Sequence, residues 1–321
     1  MISSRDDLWR HPNRIMRGEA RVGTSGWHYP GGEGRWNGTF YPAKRPRGFD
    51  ELRFYADRFN TVEVNATFYR QPEAAMSRKW LDRTPDSFLF SIKLYQKFTH
   101  PEMYLKRPGS TDWDVTGGDI DLFRSGLDPI ASSGRLGALL MQFPSSFHAT
   151  PDARDYVTWL LRAMHDYPCA VEFRHKSWSD PSADTIHRLD DCGATLVQID
   201  EPFAQWRPAA SALADGTFAP GTLAPSTSHV ARRTRAPLVY FRLHGRNAAQ
   251  WWEHEKAEDR YNYQYSDAEL QPFADEIKEE VALEKRVLVY FNNHFSAKAV
   301  ANADVLKNQL GELAPGWTLR P

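Results

Sequence analysis

Six pairs of polar residues stand two positions apart at the ends of apolar runs: Glu63 with Asn65, Ser91 with Lys93, Glu172 with Arg174, Gln198 with Asp200, Arg242 with His244, and Asn292 with His294. Residues two apart on a β-strand share a face, so each pair would point the same way. Gln142 ends a further run, and another ends in Thr24 or Ser25, followed by Trp27 and His28. The ionic inventory is three carboxylates (Glu63, Glu172, Asp200), three residues that read as permanent cations (Lys93, Arg174, Arg242) and two histidines (His244, His294). A buried charge costs several kcal/mol unless it is paired. Their convergence therefore requires mutual pairing or a ligand.

Each type suggests a task. Glu63 and Glu172 are the expected acid/base pair, provided their surroundings separate their pKa values. The same two carboxylates would suit a glycosidic bond held between them. His244 would carry protons near neutral pH, and Asp200 completes the catalytic set. Lys93, Arg174 and Arg242 suit a phosphate or carboxylate, which a guanidinium fork matches bidentately. Asn65 and Asn293 would orient hydroxyl groups, although Asn293 faces away from Asn292 and His294 along its strand. Trp27, Asn292 and His294 complete the binding set. Glu63, Glu172, Asp200 and His244 are also hard or borderline ligands for a divalent metal. Three nearby cations compete for those carboxylates, so no cofactor is expected and a metal is the secondary reading. The plain alternative is a charge-balanced network with no ligand. A barrel closes on apolar layers alone, so stability does not call for a polar ring.

The elements that must position these residues are short apolar runs: 20–26, 61–68, 88–95, 136–143, 169–175, 195–200, 237–245 and 286–294. Their nearly continuous apolar character suits strands buried on both faces, as in a parallel sheet. Helical spacing appears between most of them, at 49–59, 73–83, 120–132, 152–164, 182–192, 266–284 and 296–310. Ser266 with Glu269 forms a capping box, and Gly193 is a C-cap signal. Strand and helix alternation over eight strands predicts an α/β fold of the (β/α)8 TIM-barrel type. The sixth helix is irregular or replaced by a long loop, because 201–235 is rich in Pro, Ala, Ser and Thr. The expected domains are an N-terminal arm (1–19), a single barrel (20–312) and a C-terminal tail (313–321). Long loops at 96–118, 201–235 and 246–265 follow strand ends. They would lie over the face where barrel enzymes carry their sites.

Composition sets outer bounds. The 321 residues hold 40 Lys and Arg against 41 Asp and Glu, a formal charge of -1. A generally basic nucleic-acid binder is thereby excluded, and nucleic acid is a less favoured partner than a small molecule. KRPR (44–47) and ARRTR (231–235) read as solvated loops. No apolar run approaches the ~18 residues of a membrane span, and the N-terminus lacks a secretory h-region. A cytoplasmic location is the expectation. Cys169 and Cys192 are too few for a disulfide framework or a four-thiolate zinc site. Aromatics (Trp27, Tyr29, Trp36, Phe40, Tyr41, Phe68, Tyr69, Trp178, Trp206, Trp251, Trp252) cluster near the same face, either to stack on a ligand or to pack loops down. HEKAE (254–258) has Glu258 where a zinc-protease helix needs its second His, and GEGRWN (32–37) fails the dinucleotide fingerprint.

GTSGW (23–27), WNGTFYP (36–42), TVEVNATFYR (61–70), FLFSIK (88–93), VEFRH (171–175), YFRLHGR (240–246), YNYQYSDAEL (261–270), FNNH (291–294) and Ala301-Asn302-Ala303 together resemble the domain of unknown function 72 (YecE-like) family. The resemblance spans about residues 20–310. It implies a TIM barrel distantly similar to the xylose isomerase and endonuclease IV type. The family's motif positions fall on Trp27, Glu63, Asn65, Lys93, Glu172, Arg174, Asp200, Arg242, His244, Asn292, Asn293 and His294. The 201–235 segment is longer than the family's usual stretch. The resulting expectation is an enzyme, hydrolase or isomerase-like, that acts on a small polar or anionic substrate. The alternatives are a metal-dependent nuclease or phosphoesterase and a non-catalytic ligand-binding module.

Overall fold

The apolar runs form parallel strands where their patterning places them. The computed structural model describes residues 18–110, 112–180, 184–202, 233–251, 256 and 258–313. Residues 1–17 of the expected arm, 203–232 of the expected irregular stretch, Trp206, Trp252 and residues 314–321 of the tail lie outside the described residues. The strands are β1 (Glu19–Thr24), β2 (Thr61–Val64), β3 (Leu89–Lys93), β4 (Leu136–Gln142), β5 (Cys169–Glu172), β6 (Thr195–Leu196), β7 (Gln198–Asp200), β8 (Leu238–Leu243) and β9 (Arg286–Phe291). β6 and β7 are two halves of the run expected at 195–200, parted at Val197. β2 and β3 stop short of their apolar runs, because the chain turns into the short helices Ala66–Tyr69 and Gln96–Thr99.

All pairings are parallel and make two sheets, ordered β2-β3-β4-β5-β6 and β1-β9-β8-β7. The fold is therefore α/β with parallel sheets. The sheets adjoin at two seams. Ser25, just after β1, bridges Glu63 of β2 in parallel register. At the other seam the Val197 N–H continues the β5–β6 ladder by donating to the Val171 carbonyl at 2.9 Å, and the same run passes on into β7, which pairs with β8 of the second sheet. Gly23 permits the first approach: a Cβ there would stand 2.3 Å from the Thr61 carbonyl oxygen.

Helices pack on one side of the strands. Glu51–Ala56 is capped by Asp50, which accepts from the Leu52 and Arg53 N–H groups. Gly117–Ser132 begins three residues before its expected start, because Thr116 and Asp119 make a capping box. Pro151–Ala163 is capped by Thr150, and Asp267–Ala282 by the expected Ser266–Glu269 box. Lys298–Leu310 closes the series. Two short helices, Gln96–Thr99 and Pro101–Leu105, occupy the loop expected at 96–118. No helix of the described residues is long and apolar enough to cross a membrane.

The core divides in two. One cluster lies between strands and helices and includes Phe90, Leu139, Val171, Phe241, Val289, Phe123, Leu160, Ile277 and Leu306. A smaller one holds Leu89, Ala138, Leu140, Ala170, Val197, Leu238, Tyr240, Leu288 and Tyr290, with Ile199 against it. This inner stripe continues by period two into the polar strand ends: Gln142 follows Ala138 and Leu140, Arg242 and His244 follow Tyr240, and Asn292 follows Tyr290.

Candidate active site

The deepest polar tier is a set of matched charges. Arg242, 2% exposed, donates to Glu63 through Nε (2.9 Å to Oε2) and Nη2 (2.8 Å to Oε1). Its Nη1 reaches Glu172 Oε2 at 2.6 Å. Tyr240 adds its hydroxyl to Glu63 Oε2 at 2.8 Å. Arg174 Nε donates to the remaining Glu172 oxygen, Oε1, at 2.7 Å. Both carboxylates are fully buried and every one of their oxygens accepts from a cation. Burial by itself would raise Glu172, but Arg242 and Arg174 outweigh it and hold the carboxyl low. Glu63 and Glu172 are the acid/base pair expected from their spacing. The structure uses them to neutralise guanidinium groups, and Glu172 holds no proton to give near neutral pH.

His244 shares this tier. Its Nδ1 lies 2.9 Å from Asn292 Nδ2 and its Nε2 lies 3.4 Å from Arg174 Nη2. Burial first, and then Arg242 and Arg174, keep its pKa well below the ordinary histidine value. The imidazole is thus neutral at pH 7, so one nitrogen carries the proton and only the other accepts from its neighbour. The expected proton carrier near neutrality is not realised, because too much positive charge surrounds it.

Above lie three partly exposed groups: Lys93, Arg174 and Glu201. Lys93 Nζ donates to Gln142 Oε1 at 2.8 Å and stands 4.2 Å over the Phe68 ring. Burial and then Arg242 lower its pKa to about 7, with Arg174 adding and Glu172 and Glu63 opposing. Lys93 is therefore not a permanent cation. Arg174 Nη1 lies 3.7 Å from Glu201 Oε2, an oxygen with no hydrogen-bond partner among the described residues. Burial raises the Glu201 pKa, Arg174 opposes, and Glu172 raises it further. Of these three groups, Lys93 and Glu201 have their protonation moved toward neutrality.

Glu201 was missed, and Asp200 took its place. Val197 and Ile199 belong to the inner stripe, so Glu201 continues it and Asp200 faces the helices. There Asp200 accepts from Arg246 Nε at 2.8 Å and from the Tyr265 hydroxyl at 2.6 Å. Asp200 is a structural anchor for the 246–265 loop. The signal was legible in the alternation of Val197 and Ile199 with Gln198. Asn293 is a second such correction: its Nδ2 donates to the Tyr263 carbonyl at 2.8 Å and to Asn302 Oδ1 at 2.9 Å, away from the mouth. Trp27 stands edge-on to Trp80, with ring centroids 6.0 Å apart.

Asn65 and His294 are partly exposed at strand ends, and each holds a buried polar atom (Oδ1 and Nδ1) without a partner among the described residues. The His294 ring lies between Tyr29 (4.4 Å, stacked) and Tyr261 (4.9 Å). Burial lowers its pKa to about 4. His244 meets Trp251 edge-on at 6.4 Å. Trp36 and Tyr41 are buried in the outer core and pack the 27–41 loop. Of the residues expected as metal ligands, Glu63 and Glu172 pair with Arg242 and Arg174, and Asp200 pairs with Arg246 and Tyr265.

The family described as protein of unknown function DUF72 matches residues 21–320. The chain is 29% identical over 304 residues to the UPF0759 protein YunF of Bacillus subtilis (strain 168), covering 92% of this chain and 97% of that one. A crystal structure of a DUF72 family protein from Thermotoga maritima MSB8 superposes with a TM-score of 0.67 at 31% identity, covering 91% of this chain and 99% of the other. A DUF72 family protein from Enterococcus faecalis V583 gives a TM-score of 0.68 at 24% identity, with 93% and 99% covered.

Proposed function

The chain belongs to the DUF72 family of proteins of unknown function, and from that premise we propose that it is an enzyme acting on a small polar, anionic substrate. In this reading the two sheets close into one (β/α)8 barrel. The Ser25–Glu63 bridge, the bare Gly23 and the run 195–200, which pairs with β5 in its first half and with β8 in its second, support closure. The polar ends of β2, β3, β4, β5, β8 and β9 then surround the mouth where barrel enzymes work. The observation that carries the proposal is the two-tier arrangement. Glu63, Arg242 and Glu172 satisfy one another below, while Lys93, Arg174 and Glu201 stay partly exposed above, where the Arg174–Glu201 contact is long and Lys93 bonds a neutral amide.

Roles follow from this geometry. Arg174 holds the substrate's anionic group. Glu201, whose protonated form persists above the ordinary carboxyl range, donates and recovers a proton. Lys93 supplies an amine whose free base is populated near neutrality. Asn65 and Asn292 orient hydroxyl groups. The buried tier fixes the positions of all of these.

The test combines binding and turnover. Inorganic phosphate should raise the thermal midpoint of the wild type and leave Arg174→Met unmoved. A panel of sugar phosphates and hydroxy acids followed by proton NMR should show one compound converted. Glu201→Gln should slow that conversion about 100-fold or more, as loss of a general acid does. Conversion by Glu201→Gln at the wild-type rate removes the catalytic assignment. A ligand that binds and is never transformed returns the protein to the binding-module class.

A further inference from the structure

We propose that Lys93 captures carbonyl compounds covalently, its Nζ forming an imine with a small aldehyde or ketone whose anionic group rests on Arg174. This rests on reading the barrel mouth as an active site, and deepens it by naming the substrate class. Four observations point to it. The nitrogen bonds a neutral amide, Gln142 Oε1 at 2.8 Å, which does not fix a positive charge. Among the described residues no carboxylate lies within ion-pair distance of it. The Phe68 ring faces the nitrogen itself, its centroid 4.2 Å away, which withdraws one side of the amine from water while the residue as a whole stays partly exposed. Among the described residues Arg174 Nη1 and Nη2 have only long contacts, 3.7 Å to Glu201 and 3.4 Å to His244, so that edge of the fork can turn to an oxyanion.

The groups that face Lys93 set its charge. Arg242 on β8 and Arg174 after β5 disfavour the ammonium, and Glu172 on β5 and Glu63 on β2 favour it. His100 is itself kept neutral, its pKa lowered to about 3 by burial and then by Lys93 and Arg174. With Lys93 at about 7, near half of the amine carries a lone pair at neutral pH. A desolvated lysine beside other cations is the usual way to make an amine nucleophilic.

The step balances without a redox partner. The Nζ lone pair forms the C–N bond as the carbonyl π pair moves to oxygen, and that oxygen takes a proton from Nζ. One further proton from the medium lets the oxygen depart as water while the nitrogen pair closes the C=N bond. The product is an iminium that carries the one charge a protonated lysine would have.

The probe is glyoxylate with sodium cyanoborohydride on the full chain, which turns an imine into carboxymethyl-lysine, read by peptide mass mapping. Lys93 should be labelled about ten-fold faster than the average of the other lysines at pH 7. Its rate should rise between about pH 6 and 8, and both excess phosphate and Arg174→Met should slow it. Labelling of Lys93 no faster than the other lysines overturns the imine. If phosphate still raises the wild-type thermal midpoint in that case, the anionic-substrate site stands without it. If phosphate has no effect either, both readings fall together.

Discussion

Arg242 is the residue on which the buried tier depends. Its guanidinium serves Glu63 with two bonds and Glu172 with one, and all three side chains are at most 2% exposed. Arg242→Met leaves two buried carboxylates short of a counter-charge. Breaking a buried pair from one side costs about 3–5 kcal/mol, and urea unfolding should show a loss of that size. Adding Glu63→Gln and Glu172→Gln should recover part of it, because the stranded charges are then removed. No loss for Arg242→Met would mean that the tier is not the scaffold described. Of the expected site residues, Glu63, Lys93, Glu172, Arg174, Arg242, His244 and Asn292 do converge. Their spacing of two was enough to group them. Glu201 and Asp200 exchange places because two adjacent acidic residues differ only in which face of the strand they meet, and a shift of one residue reverses that.

At the scale of elements, the close approach of β1 to β2 requires the absence of a side chain at Gly23. A Cβ there would meet Thr61 O at 2.3 Å. Backbone cannot yield as a flexible side chain does, so Gly23→Ala should cost about 1–3 kcal/mol, as overpacking does. The urea midpoint would register it, and an unchanged midpoint would mean that β1 and β2 are not held together. Strand positions and most helices were legible because apolar periodicity and caps such as Ser266–Glu269 are local signals. The split of β6 from β7 was not. It arises where one short run pairs with β5 in its first half and with β8 in its second. Those partners are distant in sequence.

For the whole molecule, the collected positive charge and burial at the mouth predict how stability follows pH. His100 and His294 are lowered to about 3 and about 4, and His244 lies well below its ordinary value. Below about pH 6.5 the unfolded chain binds protons that the folded one refuses, so stability falls as pH falls through that window. Each such histidine costs about 1 kcal/mol per pH unit there. Glu172, held low, adds a loss below about pH 4.3, where its unfolded form takes up a proton. Urea midpoints should therefore decline steadily from pH 7 to 5, and a flat profile would contradict neutral buried histidines. The sequence by itself determined the α/β class, the strands, the family and the polar residues that would meet, because periodicity and residue type are local properties of the chain. Only the tertiary structure decided which of those residues neutralise one another and which remain accessible. That division rests on Coulomb and burial effects summed over groups from six strands, and no spacing along the chain encodes such a sum.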